Sequence, residues 1–244
     1  MTFAPNRAHD DMGRALQSLS KGGLILLHDS KSRENEVDMV VAAERVSPEY
    51  VGTMRRDAGG LLCLAVGARI GERLGLPYMR DIFRVAEKKY RVLKTLNEVR
   101  APYGGKSAFS VTINHKRTFT GVTDKDRALT ILEFANLCNK AALNDDDEEL
   151  RQEFAAHFKA PGHVHLLLEA KGSLNQRRGH TELAVYLCKL ARMSPAAGIC
   201  EMLDGINHNA LSVEDAAAYA KKHSIPLLDG QQVIAHFLKG ARAS

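Results

Sequence analysis

The stretch Lys31–Glu44, KSRENEVDMVVAAE, sets a dense group of charges directly against an apolar run. Its second half, VDMVVAA over residues 37–43, is β-branched and apolar without a helical period, and it reads as a buried strand. Runs of the same kind recur as GLILLHD (23–29), LLCLAV (61–66), SAFSVTIN (107–114), GHVHLLLEA (162–170), AAGICEML (196–203) and IPLLD (225–229). Helical patterns lie between them. One opens the chain over residues 9–21. Another spans 47–60, with Ser47 able to cap, Pro48 suited to the first turn and Gly59-Gly60 ending it. A short helix ends near GLP, and a longer one starts at Thr123 or Asp124 and runs to Cys138. In the helix after Gly179, the residues Leu183, Ala184, Leu187, Cys188, Leu190 and Ala191 make one apolar face. Two more helices follow over 212–224 and 232–239. This succession has no internal repeat and no linker, so it predicts one layered α/β domain over residues 1–244.

A chain of 244 residues with 45% hydrophobic and 26% charged residues is long enough for a sizeable core. No run approaches the roughly 20 apolar residues of a membrane helix. The N-terminus MTFAPNRAHDDMG lacks the basic and apolar regions of a signal peptide, so a cytoplasmic protein is expected, with no membrane partner. The cysteines, Cys63, Cys138, Cys188 and Cys200, form no CxxC pair and read as buried free thiols. The net charge of +5 permits anionic partners. The basic residues are scattered and aromatics are only 6%, which favours a phosphate-bearing small molecule over nucleic acid. The acidic run NDDDEE (144–149) is read as a solvated helix start or loop, because consecutive side chains diverge.

Four segments concentrate reactive residue types. The first is Arg33–Asp38. In an extended chain Glu34, Glu36 and Asp38 would share a face. Such a carboxylate group suits Mg²⁺, and a polar turn before a strand explains the same residues. The second is NQRRGHTE (175–182), ahead of the apolar helix. Arg177 and Arg178 can grip an anion, Gly179 admits close backbone approach, and Thr181 lies at a helix N-terminus that favours negative charge. His180 beside them is a ligand, a base or an ordinary polar residue. The third is Pro161-Gly162-His163, opening a strand, where a histidine can shuttle protons. The fourth is Glu201, which follows Ile199 and Cys200 at a strand end, either facing a cleft or pointing to water as a strand-edge carboxylate. TGVTDKDR (120–127) reads as a helix cap that could line the same anion site. Neither a P-loop nor a dinucleotide loop occurs.

Taken together and in order, RENEVDMVVAAE, TGVTDKDRALTI, PGHVHLLLEA, RRGHTELAVYL and AGICEML resemble the 3,4-dihydroxy-2-butanone 4-phosphate synthases, and the resemblance covers roughly residues 20–230. It implies a fold of the α+β class, a three-layer α/β/α single domain around a mixed twisted sheet. It also implies a homodimer with sites near the subunit interface. The implied reaction is a lyase step of riboflavin biosynthesis, from D-ribulose 5-phosphate to L-3,4-dihydroxy-2-butanone 4-phosphate and formate. By the resemblance, Glu34 and His180 bind the divalent metal, Mg²⁺ or Mn²⁺, with more than one ion per site expected. Arg33 and Asp38 contact substrate, Arg177 to Thr181 (Arg177, Arg178, Gly179, His180, Thr181) hold its phosphate, and His163 and Glu201 are needed for catalysis.

The chain departs from the family pattern in three places. Val37 stands where many members have a small residue, and the basic segment 80–105 and the acidic run 144–149 look longer than in the bacterial pattern. A C-terminal GTP cyclohydrolase domain is not expected, giving the stand-alone form. Another divalent-metal sugar-phosphate isomerase or aldolase, or an RNA- or nucleotide-binding module, shares parts of the pattern. A binding module has no need for Glu34 and His180 together.

Overall fold

The apolar run after Gly23 and the run after Glu36 pair as an antiparallel hairpin, β1 (Ile25–His28) and β2 (Val37–Ala42), every residue of which is buried. The computed structural model describes residues 5–97 and 105–240. Before the hairpin lies α1 (Pro5–Ser20), which starts earlier than its apolar pattern suggested. After β2 a single 3₁₀ turn (Ala43–Arg45) leads into α2 (Pro48–Thr53), where Ser47 accepts from the Tyr50 amide as its cap. That helix loosens into a π-turn, Met54–Ala58, ended by Gly59 at φ +85°. The left-handed conformation there favours glycine. Next come β3 (Cys63–Val66) and α3 (Ala68–Arg73).

The basic segment holds two short helices, α4 (Met79–Ala86) and α5 (Val92–Asn97). Most of the PYGGK turn expected after it lies outside the described residues. The chain continues through β4 (Phe109–His115), α6 (Asp124–Leu143), α7 (Asp147–His157), β5 (Phe158–Leu168), α8 (His180–Leu190), β6 (Ala196–Glu201), α9 (Val213–His223), β7 (Leu227–Asp229) and α10 (Gly230–Gly240).

The strands form one sheet in the order β4-β5-β3-β6-β2-β1-β7. β3 runs parallel to β5 and β1 parallel to β7, and the other pairings are antiparallel, so the sheet is mixed as expected. Successive strand residues point to opposite faces, and each face has its own core. Leu26, Val37, Met39, Val41, Leu64 and Leu166 pack beneath α2, α6 and α9. Ile25, Leu27, Val40 and Ala65 pack beneath α1, α8 and α10. Three layers result. Val37 faces the layer opposite α8, which makes its larger side chain a core residue rather than a site residue. All four cysteines are buried and free.

The acidic run 144–149 is structural. Asp146 caps α7 by accepting from the amides of Glu148 and Glu149 (2.9 and 3.0 Å). Asp147 accepts from Nε of the buried Arg73 (2.6 Å), whose other nitrogens donate to the carbonyls of Ala141 and Asn144 at the end of α6. Arg73→Ala would leave that helix end and a carboxylate without their donor. We expect it to destabilise the fold by about 2–4 kcal/mol in urea unfolding.

Candidate active site at one end of the sheet

The turn between β1 and β2 is built around Asp29. Its carboxylate, 1% exposed, accepts from Arg33 Nη1 (3.2 Å), Glu34 N (3.0 Å) and Glu36 N (3.2 Å). Asn35 takes a left-handed conformation (φ +56°), and its Oδ1 pairs with His28 Nε2 at 3.1 Å. Asparagine tolerates that region better than most residues. The chain from Lys31 to Glu34 is therefore a turn, and the extended face expected for Glu34, Glu36 and Asp38 does not form. The same turn brings Glu34 inward, with the Arg33 guanidinium bridging Asp29 and Glu34.

Against this turn lies the start of α8. His180, 6% exposed, places Nδ1 3.3 Å from Glu34 Oε2, and Nε2 3.2 Å from the Glu36 carbonyl and 3.6 Å from Asp38 Oδ1. Gly179 leaves room for Arg33 beside this group, since a Cβ there would stand 2.7 Å from the movable guanidinium. On the neighbouring strand Glu201 sits opposite Asp38 in the ladder. Its Oε2 accepts from Leu61 N (2.8 Å) and its carbonyl from Gly60 N (3.0 Å), both donors supplied by the chain leaving the π-turn. Glu201 thus stands at a strand end, half-buried, as its sequence suggested.

Burial raises the Asp38 carboxyl well above the usual range. His180 opposes the shift, while Glu201, Glu34 and Glu36 add to it. Glu36 is raised too, by burial and then by Glu34 and Glu201. Burial alone would pull the His180 imidazole down, but Asp38, Glu34 and Asp29 outweigh it, and the ring is held protonated above its ordinary range. Asp29, Glu34 and His180 each offer a ligand atom within 4.8 Å of the others. Asp38 Oδ1 is buried without a hydrogen bond. Hard oxygen donors with one imidazole, plus an orphaned carboxylate oxygen alongside, are a donor set that fits a divalent cation. Asp29 was not singled out from the sequence, where it passes for the last residue of a strand. Its signal is an acid immediately after an apolar run.

The residues expected to hold phosphate do not all lie together. Gly179 lies against the Arg33 guanidinium at the start of α8, and His180 and Thr181 beside it are buried. Arg178 is exposed, its Nε directed at the Leu174 carbonyl (3.4 Å). Arg177 is committed elsewhere. Its Nε lies 2.7 Å from Oε1 of the buried Glu182, and its Nη2 donates to the Leu168 carbonyl (2.5 Å). Glu182 also accepts from the Gly179 amide (3.3 Å), so this ion pair braces the turn.

His163 lies apart from this group. β5 begins at Phe158, so Pro161-Gly162-His163 falls inside the strand rather than opening it. In the ladder His165 pairs with Cys63, and Cys63 with Ile199. His163 is thereby at the same sheet end as Glu201, two strand spacings or about 10 Å away. Its partner is the buried Asn114, whose amide also reaches the Thr120 carbonyl (3.4 Å). TGVTDKDR serves as the α6 cap, Thr123 accepting from Asp126 N (3.1 Å), and it abuts the His163 group through Thr120.

The model of the 3,4-dihydroxy-2-butanone 4-phosphate synthase family matches residues 13–236. The chain belongs to this family. A synthase of that name from Methanothermobacter thermautotrophicus is 44% identical over 92% of this chain and 95% of its own. One from Archaeoglobus fulgidus is 38% identical over 94% of each. A solved 3,4-dihydroxy-2-butanone 4-phosphate synthase in complex with two magnesium ions superimposes with a TM-score of 0.74 at 28% identity, covering 93% of this chain and 96% of that one. The three-layer fold and mixed sheet agree with such synthase structures.

Because a methyl group on Gly179 would meet only the movable end of Arg33, Gly179→Ala should fold. A crystal structure should show the guanidinium displaced from the α8 N-terminus, and urea unfolding should show a loss of about 1 kcal/mol or less.

Proposed function

We propose that this chain is a divalent-metal-dependent lyase that converts D-ribulose 5-phosphate to L-3,4-dihydroxy-2-butanone 4-phosphate and formate. It would act in riboflavin biosynthesis, in the cytoplasm and as a homodimer. The observation that carries this reading is the gathering of Asp29, Glu34 and His180 beside the carboxyls of Asp38 and Glu201. The family membership and the magnesium complex of the solved relative support it. Glu34 and His180, with Asp29 beside them, would hold Mg²⁺ or Mn²⁺, with more than one ion per site, and such an ion supplies Lewis-acid stabilisation of negative charge on a substrate oxygen.

The remaining work falls to the chain's own groups. The reaction needs a proton removed beside the substrate carbonyl, water lost, the skeleton rearranged, and water restored as formate leaves. Asp38 and Glu36, both raised by burial, suit repeated uptake and return of protons, with Glu201 beside them. Arg33 and Asp38 grip the sugar. Arg178, Gly179, His180 and Thr181 receive the phosphate at the α8 N-terminus, while Arg177 shapes that turn from behind through Glu182. The phosphate undergoes no bond change, so its binding holds the reacting carbons in place.

His163 joins the reaction where two subunits meet. Phe119 (95% exposed) and Val122 (52%) next to Thr120 give that surface an apolar character suited to an interface.

Incubation with ribulose 5-phosphate and Mg²⁺ or Mn²⁺ should yield formate, and its absence with both ions would sink the proposal. Glu34→Gln and His180→Ala should each abolish formate release and weaken Mn²⁺ binding by more than about tenfold. The pH dependence has a definite sign. His180 carries a proton in the metal-free site, raised from 6.5 to about 9, and a metal must displace it. Mn²⁺ affinity by titration calorimetry should therefore climb with pH across that range, with proton release on binding. A flat profile would remove His180 from the ligands.

A further inference from the structure

His163 and its surroundings carry more than a position. Asn114 is 3% exposed, and its Oδ1 lies 2.8 Å from the backbone nitrogen of His163. That N–H can only donate, so the atom facing it is the amide oxygen, and the orientation of the Asn114 side chain is settled. Nδ2 then lies 3.1 Å from His163 Nδ1 and 3.4 Å from the Thr120 carbonyl. The carbonyl can only accept, which agrees. The second amide hydrogen is left for the imidazole. Oδ1 is also 3.4 Å from Nδ1, but it is farther than Nδ2 and already accepts from the backbone. His163 Nδ1 must therefore present a lone pair.

We infer that Asn114 is a positioning residue that fixes His163 in its Nε2–H tautomer, making the ring a hydrogen-bond donor toward a substrate oxygen. The inference rests on the proposed reaction for the catalytic part of His163, and on geometry alone for the tautomer. The step is a hydrogen bond from neutral imidazole with no net proton transfer, which is enough to polarise a carbonyl.

The surrounding chain holds Asn114 in this place. The β4–β5 register shifts between Ile113 and Asn114. Gly162 donates to Thr112 Oγ1 (3.0 Å), and a Cβ on Gly162 would stand 2.0 Å from the Ile113 carbonyl carbon. Gly121, at φ +94°, lies so close that a Cβ would be 2.0 Å from Asn114 Nδ2. Among the described residues His165 is a titratable neighbour on the same strand, and Asp126, beyond Thr120, has its carboxylate occupied by Gly121 N (2.9 Å) and Thr120 Oγ1 (3.4 Å).

Long-range ¹H–¹⁵N correlation on the full chain labelled with ¹⁵N-histidine reads the tautomer directly, His163 being assigned by the signals lost in His163→Gln. Proton-coupled Nε2 with a bare Nδ1 is expected, and a ring protonated at Nδ1 would overturn the inference. Asn114→Asp keeps the acceptor for the His163 amide but turns an oxygen toward Nδ1. It should switch the tautomer, raise the pH at which the ring takes a second proton, move the acid limb of the kcat profile upward and lower formate production about 10²-fold. Mn²⁺ affinity should stay unchanged. An unaltered ring spectrum, or an unaltered pH profile, would also overturn it. If the wild-type chain makes no formate, the proposed reaction fails while the spectrum still decides the tautomer.

Discussion

Five carboxylates, Asp29, Glu34, Glu36, Asp38 and Glu201, crowd one end of the sheet, and their mutual repulsion is the constraint that the local structure answers. Charges brought together out of water are costly unless each finds a donor or a cation. Asp29 is satisfied by the turn that folds around it, Glu201 by the amide after the π-turn, and Glu34 by Arg33 and His180. Asp38 keeps an oxygen without a hydrogen bond. The cationic partners within the group are Arg33 and His180, and the glycine at 179 lets them come together.

The mixed sheet makes this crowding possible. An all-parallel sheet would gather strand C-termini at one end, each with its own crossover. Here β2 enters the sheet where β6 leaves it, so Asp38 from a strand start and Glu201 from a strand end lie side by side. The layers divide the labour. The α8 side contributes the helix start and the histidine, and the opposite side contributes the π-turn amides that hold Glu201.

Much of this was legible in the sequence. The strand runs, the apolar face of α8, the Ser47 cap and the pairing of Glu34 with His180 all follow from local patterns or from the order of the motifs. Other features depend on partners far along the chain. The turn at Asn35 needed knowledge that Asp29 would collect three donors. The acidic run does face solvent at the start of α7, but its reach from Asp147 to the buried Arg73 is not legible locally. Nothing local to Arg177 announces its ion pair with the buried Glu182. Pro161 suggested a strand boundary, whereas the bulge at Ile113–Asn114 lets β5 carry it within its length. In α4 the apolar residues Met79, Ile82, Phe83 and Ala86 do recur at helical spacing, a signal passed over because the segment reads first as basic, and none of the residues of α4 or α5 is buried.

Asp38 also has a role before any ligand is considered. All six residues of β2 are buried, so the usual alternation of apolar and polar positions cannot select its alignment with β1 and β6. A slip of one residue would swap the two faces and turn Asp38 into the layer formed by α2 and α6, among Val51, Met54 and Ile131. Those side chains offer a carboxylate no hydrogen bond, and it would be stranded in hydrocarbon. The acid therefore works as a registration mark, holding an otherwise featureless strand to one alignment.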